Sequence, residues 1–190
     1  MSIQKHKSAD NKYERRSFFK VLIQRIIAFF LVGFGLKRLL RLNAAETRWQ
    51  IDPEKCVQCG QCAVACVLNP SAVKCVHNYD ICGYCNLCFG YFQPGAKKLN
   101  EDAYNQLCPT GAINRKFIEE PFFEYSITSE KCIGCAKCVK GCNLFGNGSF
   151  HLQVMHDLCQ NCNECSIALV CEGNAFKRVP INEPYIKKTK

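Results

Sequence analysis

Between residues 50 and 180 no stretch sustains one apolar pattern for long. Residues 63–68 (AVACVL) read as a short helical turn. Four stretches alternate or cluster apolar and β-branched residues in the manner of short strands: AVKCVHNY (72–79), EYSIT (124–128), SFHLQV (149–154) and AFKRV (175–179). Upstream, residues 26–36 are eleven uninterrupted apolar positions, fewer than the roughly 20 needed to cross a bilayer core. The pattern predicts an N-terminal hydrophobic helix followed by an α+β body of short hairpins and short helices. No apolar run is long enough to build an independent core, so something besides side-chain packing is expected to hold segments of about 60 residues together.

Cysteine supplies the missing element. The 190 residues include 17 cysteines, and 16 of them fall into four sets. These are Cys56, Cys59, Cys62 and Cys66; Cys82, Cys85, Cys88 and later Cys108; Cys132, Cys135, Cys138 and Cys142; and Cys159, Cys162, Cys165 and later Cys171. Each set opens with C-x-x-C-x-x-C. Three thiolates at that spacing can curl around one compact inorganic core with the turn's amides aimed at its sulfurs, which fits a cubane [4Fe-4S] cluster. Zinc is the competing occupant, but zinc sites use two separate C-x-x-C pairs, and a triplet wastes a ligand at every site. Disulfides join pairs and leave an odd cysteine over.

The sets repeat. EKCVQCGQCAVAC at 54–66 returns as EKCIGCAKCVKGC at 130–142, displaced by 76 residues, and YDICGYCNLC at 79–88 returns as HDLCQNCNEC at 156–165, displaced by 77. A duplicated unit is therefore read, with modules at 49–120 and 121–180, a leader at 1–48 and a basic tail at 181–190. Pro121 and the FFEY that follows it mark the joint.

On these motifs each module resembles the bacterial two-cluster ferredoxins, whose C-x-x-C-x-x-C-x-x-x-C-P run sends its fourth cysteine to the other cluster. The resemblance covers about 125 residues and implies tandem two-cluster ferredoxin-like modules holding four [4Fe-4S] clusters. Carried over, the crossover gives Cys56, Cys59 and Cys62 with Cys108, and Cys82, Cys85 and Cys88 with Cys66. In the second module it gives Cys132, Cys135 and Cys138 with Cys171, and Cys159, Cys162 and Cys165 with Cys142. The chain departs from the family in two ways. Only Cys108 precedes proline, and 19 residues separate Cys88 from Cys108 while five separate Cys165 from Cys171, where the family has three. In larger iron-sulfur subunits the outer and inner motifs pair instead, but the near-constant displacement favours pairing within each half.

Gly60, Gly83 and Gly134 lie inside triplets, where a missing side chain lets backbone approach the cluster. Cys75, the seventeenth cysteine, reads as a buried apolar filler, and His6, His77, His151 and His156 show no ligand spacing. Trp49 and the Tyr and Phe residues read as cluster shielding or core.

The formal charge of +9 sits at the ends: +8 over residues 1–50 and +2 over 179–190, against −1 for 51–178. The cysteine-bearing part lacks the basic face that nucleic acid requires. Neither a G-x-G-x-x-G nor a P-loop appears, so no nucleotide cofactor is expected. Paired Arg15 and Arg16 before Phe18, Phe19 and Lys20 resemble the twin-arginine signal that exports folded, cofactor-loaded proteins. Asn43-Ala44-Ala45 is a weak cleavage site behind Lys37, Arg38 and Arg41, which leaves both a cleaved signal and a retained membrane anchor open; a basic interfacial helix on the cytoplasmic face is the alternative. The expectation is a non-catalytic electron carrier on the periplasmic side of the cytoplasmic membrane, serving a redox protein partner. It is similar in plan to the four-cluster ferredoxin-like components of periplasmic nitrate, nitrite or dimethyl sulfoxide reduction. A cytoplasmic-face component of a membrane-bound oxidoreductase and a zinc-stabilised interaction module are the other readings.

Overall fold

The computed structural model describes residues 22–27, 29, 46–183 and 185–189. Of the first 45 residues, 22–27 and 29 are helical and exposed. Arg15, Arg16, most of the apolar run and Asn43-Ala44-Ala45 lie outside the described residues. Among the described residues no helix is long and apolar enough to cross a membrane.

From Glu46 onward the chain forms one compact unit. Its strands are β1 (Thr47–Ile51), β2 (Val73–His77), β3 (Ile113–Glu119), β4 (Phe122–Ile127), β5 (Phe150–Val154) and β6 (Phe176–Pro180). Its helices are α1 (Cys62–Ala65), α2 (Lys137–Phe145) and α3 (Ser166–Val170). The strands make three antiparallel pairs, and the pairing is nested: β1 with β6, β2 with β5, β3 with β4. Every sheet takes one strand from each of the two sequence repeats. The two expected modules thus exchange strand partners across positions 120–121, and Pro121 stands in the turn of the β3–β4 hairpin.

Nesting explains how such short apolar runs suffice. Ile51, Val73, Phe92 and Ile113 from the first half are buried with Tyr125, Val139, Phe150, Leu152 and Val154 from the second in one core cluster. Large side chains of this kind each contribute roughly 1.5–3 kcal/mol when fully buried. Neither half could assemble this core alone, so the expected lack of an independent core holds for each half but not for the whole. Gln50, fully buried, ties two sheets together: its Oε1 accepts from the Val154 amide at 2.9 Å.

The 19 residues between Cys88 and Cys108 are folded in rather than looped out. Tyr91 and Phe92 enter the core, and the Leu107 amide returns to the Tyr91 carbonyl at 2.7 Å. Elsewhere bare backbone lets segments touch. A Cβ on Gly141 of α2 would lie 2.1 Å from the Phe89 carbonyl oxygen, and one on Gly173 would lie 2.2 Å from that of Lys55.

Candidate metal centres

The register of each strand pair decides which cysteines meet. Ile51 faces Phe176; Cys56 follows the first by five positions and Cys171 precedes the second by five. Ile113 faces Ile127; Cys108 precedes the first by five and Cys132 follows the second by five. The β2–β5 pair sets Val73 against Val154 at one end, between Cys66 and Cys159, and His77 against Phe150 at the other, between Cys142 and Cys82. Antiparallel pairing thus draws together Cys56, Cys59 and Cys62 with Cys171; Cys132, Cys135 and Cys138 with Cys108; Cys159, Cys162 and Cys165 with Cys66; and Cys82, Cys85 and Cys88 with Cys142.

Side-chain surroundings agree with that register. One internal cavity is lined by Cys66, Cys159, Cys162 and Cys165 together with Trp49. A second is lined by Cys108, Cys132, Cys135 and Cys138, and also by Cys75. Burial pushes the Cys56 thiol up; the Gln58 amide opposes this, and neighbouring Cys171 and Cys59 add to it. Burial likewise takes Cys62 up to about 12, with Cys56, Cys59 and Cys171 nearby, and Cys88 up to about 12, with Cys142 and Cys82 nearby.

All sixteen expected cysteines are therefore grouped in fours, but each fourth member comes from the opposite half. Cys108 does not join Cys56, nor Cys66 join Cys82, nor Cys171 join Cys132, nor Cys142 join Cys159. The near-constant displacement is the same for a nested and a tandem arrangement, because a sequence repeat leaves open which copy a strand pairs with.

Cys108 and Cys171 turn out to be equivalent despite their different neighbours. In Cys108-Pro-Thr-Gly-Ala the Ala112 amide donates to the Cys108 sulfur at 3.3 Å, and in Cys171-Glu-Gly-Asn-Ala the Ala175 amide donates to the Cys171 sulfur at 3.3 Å. The residue before each alanine, Gly111 or Asn174, has positive φ. The proline is dispensable because the left-handed residue makes the turn.

The triplets share a turn too. The residue before the second cysteine is left-handed in all four: Gln58, Tyr84, Gly134 and Asn161. Amides at this position donate to the first sulfur at 3.4 Å from Tyr84 to Cys82 and at 3.4 Å from Asn161 to Cys159. Among these only Gly134 was visible as a glycine signal. The triplet glycines meet neighbouring protein segments: a Cβ on Gly134 would lie 2.5 Å from the Val73 carbonyl oxygen, one on Gly60 2.9 Å from that of Cys135, and one on Gly83 2.8 Å from the Asn147 side chain.

Two cross-strand pairs brace the middle cysteines. Trp49 and Arg178 face each other, and Trp49 Nε1 donates to the Cys162 carbonyl at 2.7 Å while Arg178 donates to it at 2.8 Å. Tyr125 and Arg115 face each other, and the Tyr125 hydroxyl donates to the Cys85 carbonyl at 2.8 Å while Arg115 donates to Asn86 Oδ1 at 2.6 Å. The aromatics expected to shield clusters or fill the core thus brace cysteine carbonyls, and neither arginine carries a sequence signal for this role.

The donor set fits iron-sulfur clusters. Four cysteines with amides aimed at their sulfurs are the ligand chemistry of a cubane, and buried thiols with raised pKa are released as thiolates when a cationic core compensates them.

Comparison with known proteins agrees in kind. Residues 49–66 match the 4Fe-4S binding domain family. A selenate reductase subunit of Mesobacillus selenatarsenatis is 28% identical over 136 residues, which cover 66% of this chain and 45% of that protein. The match thus spans just under half of the relative's length. No solved structure matches. Taken with the cysteine groups, these likenesses support an iron-sulfur, ferredoxin-like protein that carries electrons.

Proposed function

We propose that the chain is a non-catalytic electron-transfer protein, free-standing or part of a complex, with four [4Fe-4S] clusters, passing single electrons to or from a larger oxidoreductase. The observation that carries this reading is the nested strand register, which sorts sixteen cysteines into four groups of four. When bound, a [4Fe-4S] cluster with four cysteine ligands accepts and releases one electron and has no open iron for a substrate.

The polypeptide would hold the clusters, exclude water and set their environment. α1 and the residue after it place Cys62 in one group and Cys66 in the next, and α2 places Cys138 and Cys142 likewise, so each short helix would keep two clusters close. Cys59 and Cys85 are exposed, which supports electron entry or exit near those two groups. Thiolate-bound clusters carry net negative charge, roughly −2 each when oxidised, which would favour a partner with a basic face.

The similarity to a component of selenate reductase supports a reductase as partner. The twin-arginine-like leader supports a place on the periplasmic side of the cytoplasmic membrane; a cytoplasmic membrane face is the second reading. Iron and sulfide quantitation on anaerobically purified protein tests the cofactor: roughly 16 irons per chain are expected, and colourless protein containing only zinc would sink the proposal. Changing Arg15 and Arg16 to lysine and following a fused reporter tests location. Loss of export is expected, and an unchanged location defeats that part.

A further inference from the structure

Two consecutive residues of strand β2 reach one cysteine group. Lys74 is 2% exposed, and its ammonium donates to the Cys132 carbonyl at 2.5 Å. Among the described residues it makes no ion pair; the salt bridge found there is Lys177 with Asp52. A buried ammonium without a counter-charge costs several kcal/mol, so such a residue implies an anion within the same low-dielectric space. The neighbouring side chain, Cys75, lines the same cavity as Cys108, Cys132, Cys135 and Cys138. Its amide donates to the Cys132 sulfur at 3.3 Å, and its thiol donates to the Val76 carbonyl at 3.8 Å. Gly134, whose Cβ would clash with the Val73 carbonyl, lets β2 come this near.

Other groups have cations nearby, but those are less deeply placed. Arg178 beside Cys162 and Arg115 beside Asn86 are half-buried and so partly screened by water. A charge acts over a given distance far more strongly when it is buried. Hydrogen bonds to cluster sulfurs and local positive charge both favour the reduced, more negative state.

We propose that Lys74 and Cys75 make the group formed by Cys108, Cys132, Cys135 and Cys138 the electron sink of the chain, the cluster with the most positive reduction potential. Reduction adds one electron there, and the fixed ammonium offsets the added negative charge. The proposal rests on the four-cluster reading above.

The test is a dithionite titration of the whole, anaerobically purified protein, followed by electron paramagnetic resonance. Lys74→Gln, which keeps a donor and removes the charge, is expected to weaken reduction of the most positive cluster about ten-fold, a shift of about 59 mV for one electron, with the other three midpoints unmoved. Lys74→Arg is expected to restore it. An unmoved top midpoint in Lys74→Gln, or an equal shift of all four, overturns the proposal. Should Lys74→Gln fail to load iron, Lys74→Met is titrated in its place, and an unmoved top midpoint there overturns it. Wild-type protein without iron would defeat the four-cluster reading itself, a failure visible before any variant is made.

Discussion

Trp49 Nε1 donates to the carbonyl of Cys162 at 2.7 Å across 113 positions of sequence, joining the first strand to the last cysteine triplet. Tyr125, 76 positions after Trp49, does the same for Cys85 at 2.8 Å. The sequence repeat thus carries a role along with a spacing: an aromatic donor opposite an arginine, fixing the middle cysteine of a triplet. Tyr125→Phe keeps the ring and leaves the Cys85 carbonyl short of its donor, at a cost of about 1–3 kcal/mol. A lower denaturant midpoint with an unchanged slope is expected. Trp49→Phe should show a smaller loss, because Arg178 still reaches Cys162.

Gly141 separates helix propensity from packing. In an α-helix interior, alanine is favoured over glycine by about 1 kcal/mol. Here a Cβ would meet the Phe89 carbonyl oxygen at 2.1 Å, and Tyr91 and Phe92, two and three residues on, are anchored in the core. Gly141→Ala is therefore expected to lower the thermal midpoint despite the better helix former, with overpacking costing about 1–3 kcal/mol. Gly95→Ala is the control: nothing lies within 4 Å of its Cβ, so only the cost of its positive φ of 84° remains.

Much of this architecture is legible in the sequence. The triplets were legible because ligand spacing is a local property, and β2, β4, β5 and β6 fell within one or two residues of their expected places. β1 and β3 were not found, since TRWQI and INRKFIE carry polar residues where a strand signal needs apolar alternation. Those residues are polar for a reason: Gln50 and Arg115 bond other elements. The nested pairing could not be read, because a repeat leaves open whether a strand pairs within its own copy. Left-handed Tyr84 and Asn161 were hidden because neither residue type announces positive φ as glycine does.

His77 and His151 give the fold an acid limb. Burial holds both imidazoles below the usual histidine range. His77 Nδ1 donates to the Tyr125 carbonyl at 2.7 Å, and its Nε2 is buried without a partner. As pH falls below about 6.5 the unfolded chain takes up protons first, while the folded chain resists until its lowered values are reached. Stability is thus complete above that pH and is lost on acidification. The urea midpoint should be lower at about pH 5.5 than at about pH 7.5, and His77→Phe should narrow the gap. A gap unchanged by that substitution would assign the acid limb to other groups.

The nested grouping of cysteines has a consequence that can be counted in iron. If Cys56 and Cys171 belong to one group, losing both removes the support of a single cluster, and Cys56→Ser with Cys171→Ser should cost about four irons per chain. Pairing within each half would place them in separate clusters, and the same double variant would then cost about eight. Cys56→Ser with Cys108→Ser reverses the expectation, with about eight lost in the nested arrangement and about four otherwise. Because the two double variants share Cys56, any general weakening from that substitution cancels between them. The register that faces Ile51 with Phe176 and Ile113 with Ile127 requires the first variant to retain more iron than the second, and equal retention would contradict it.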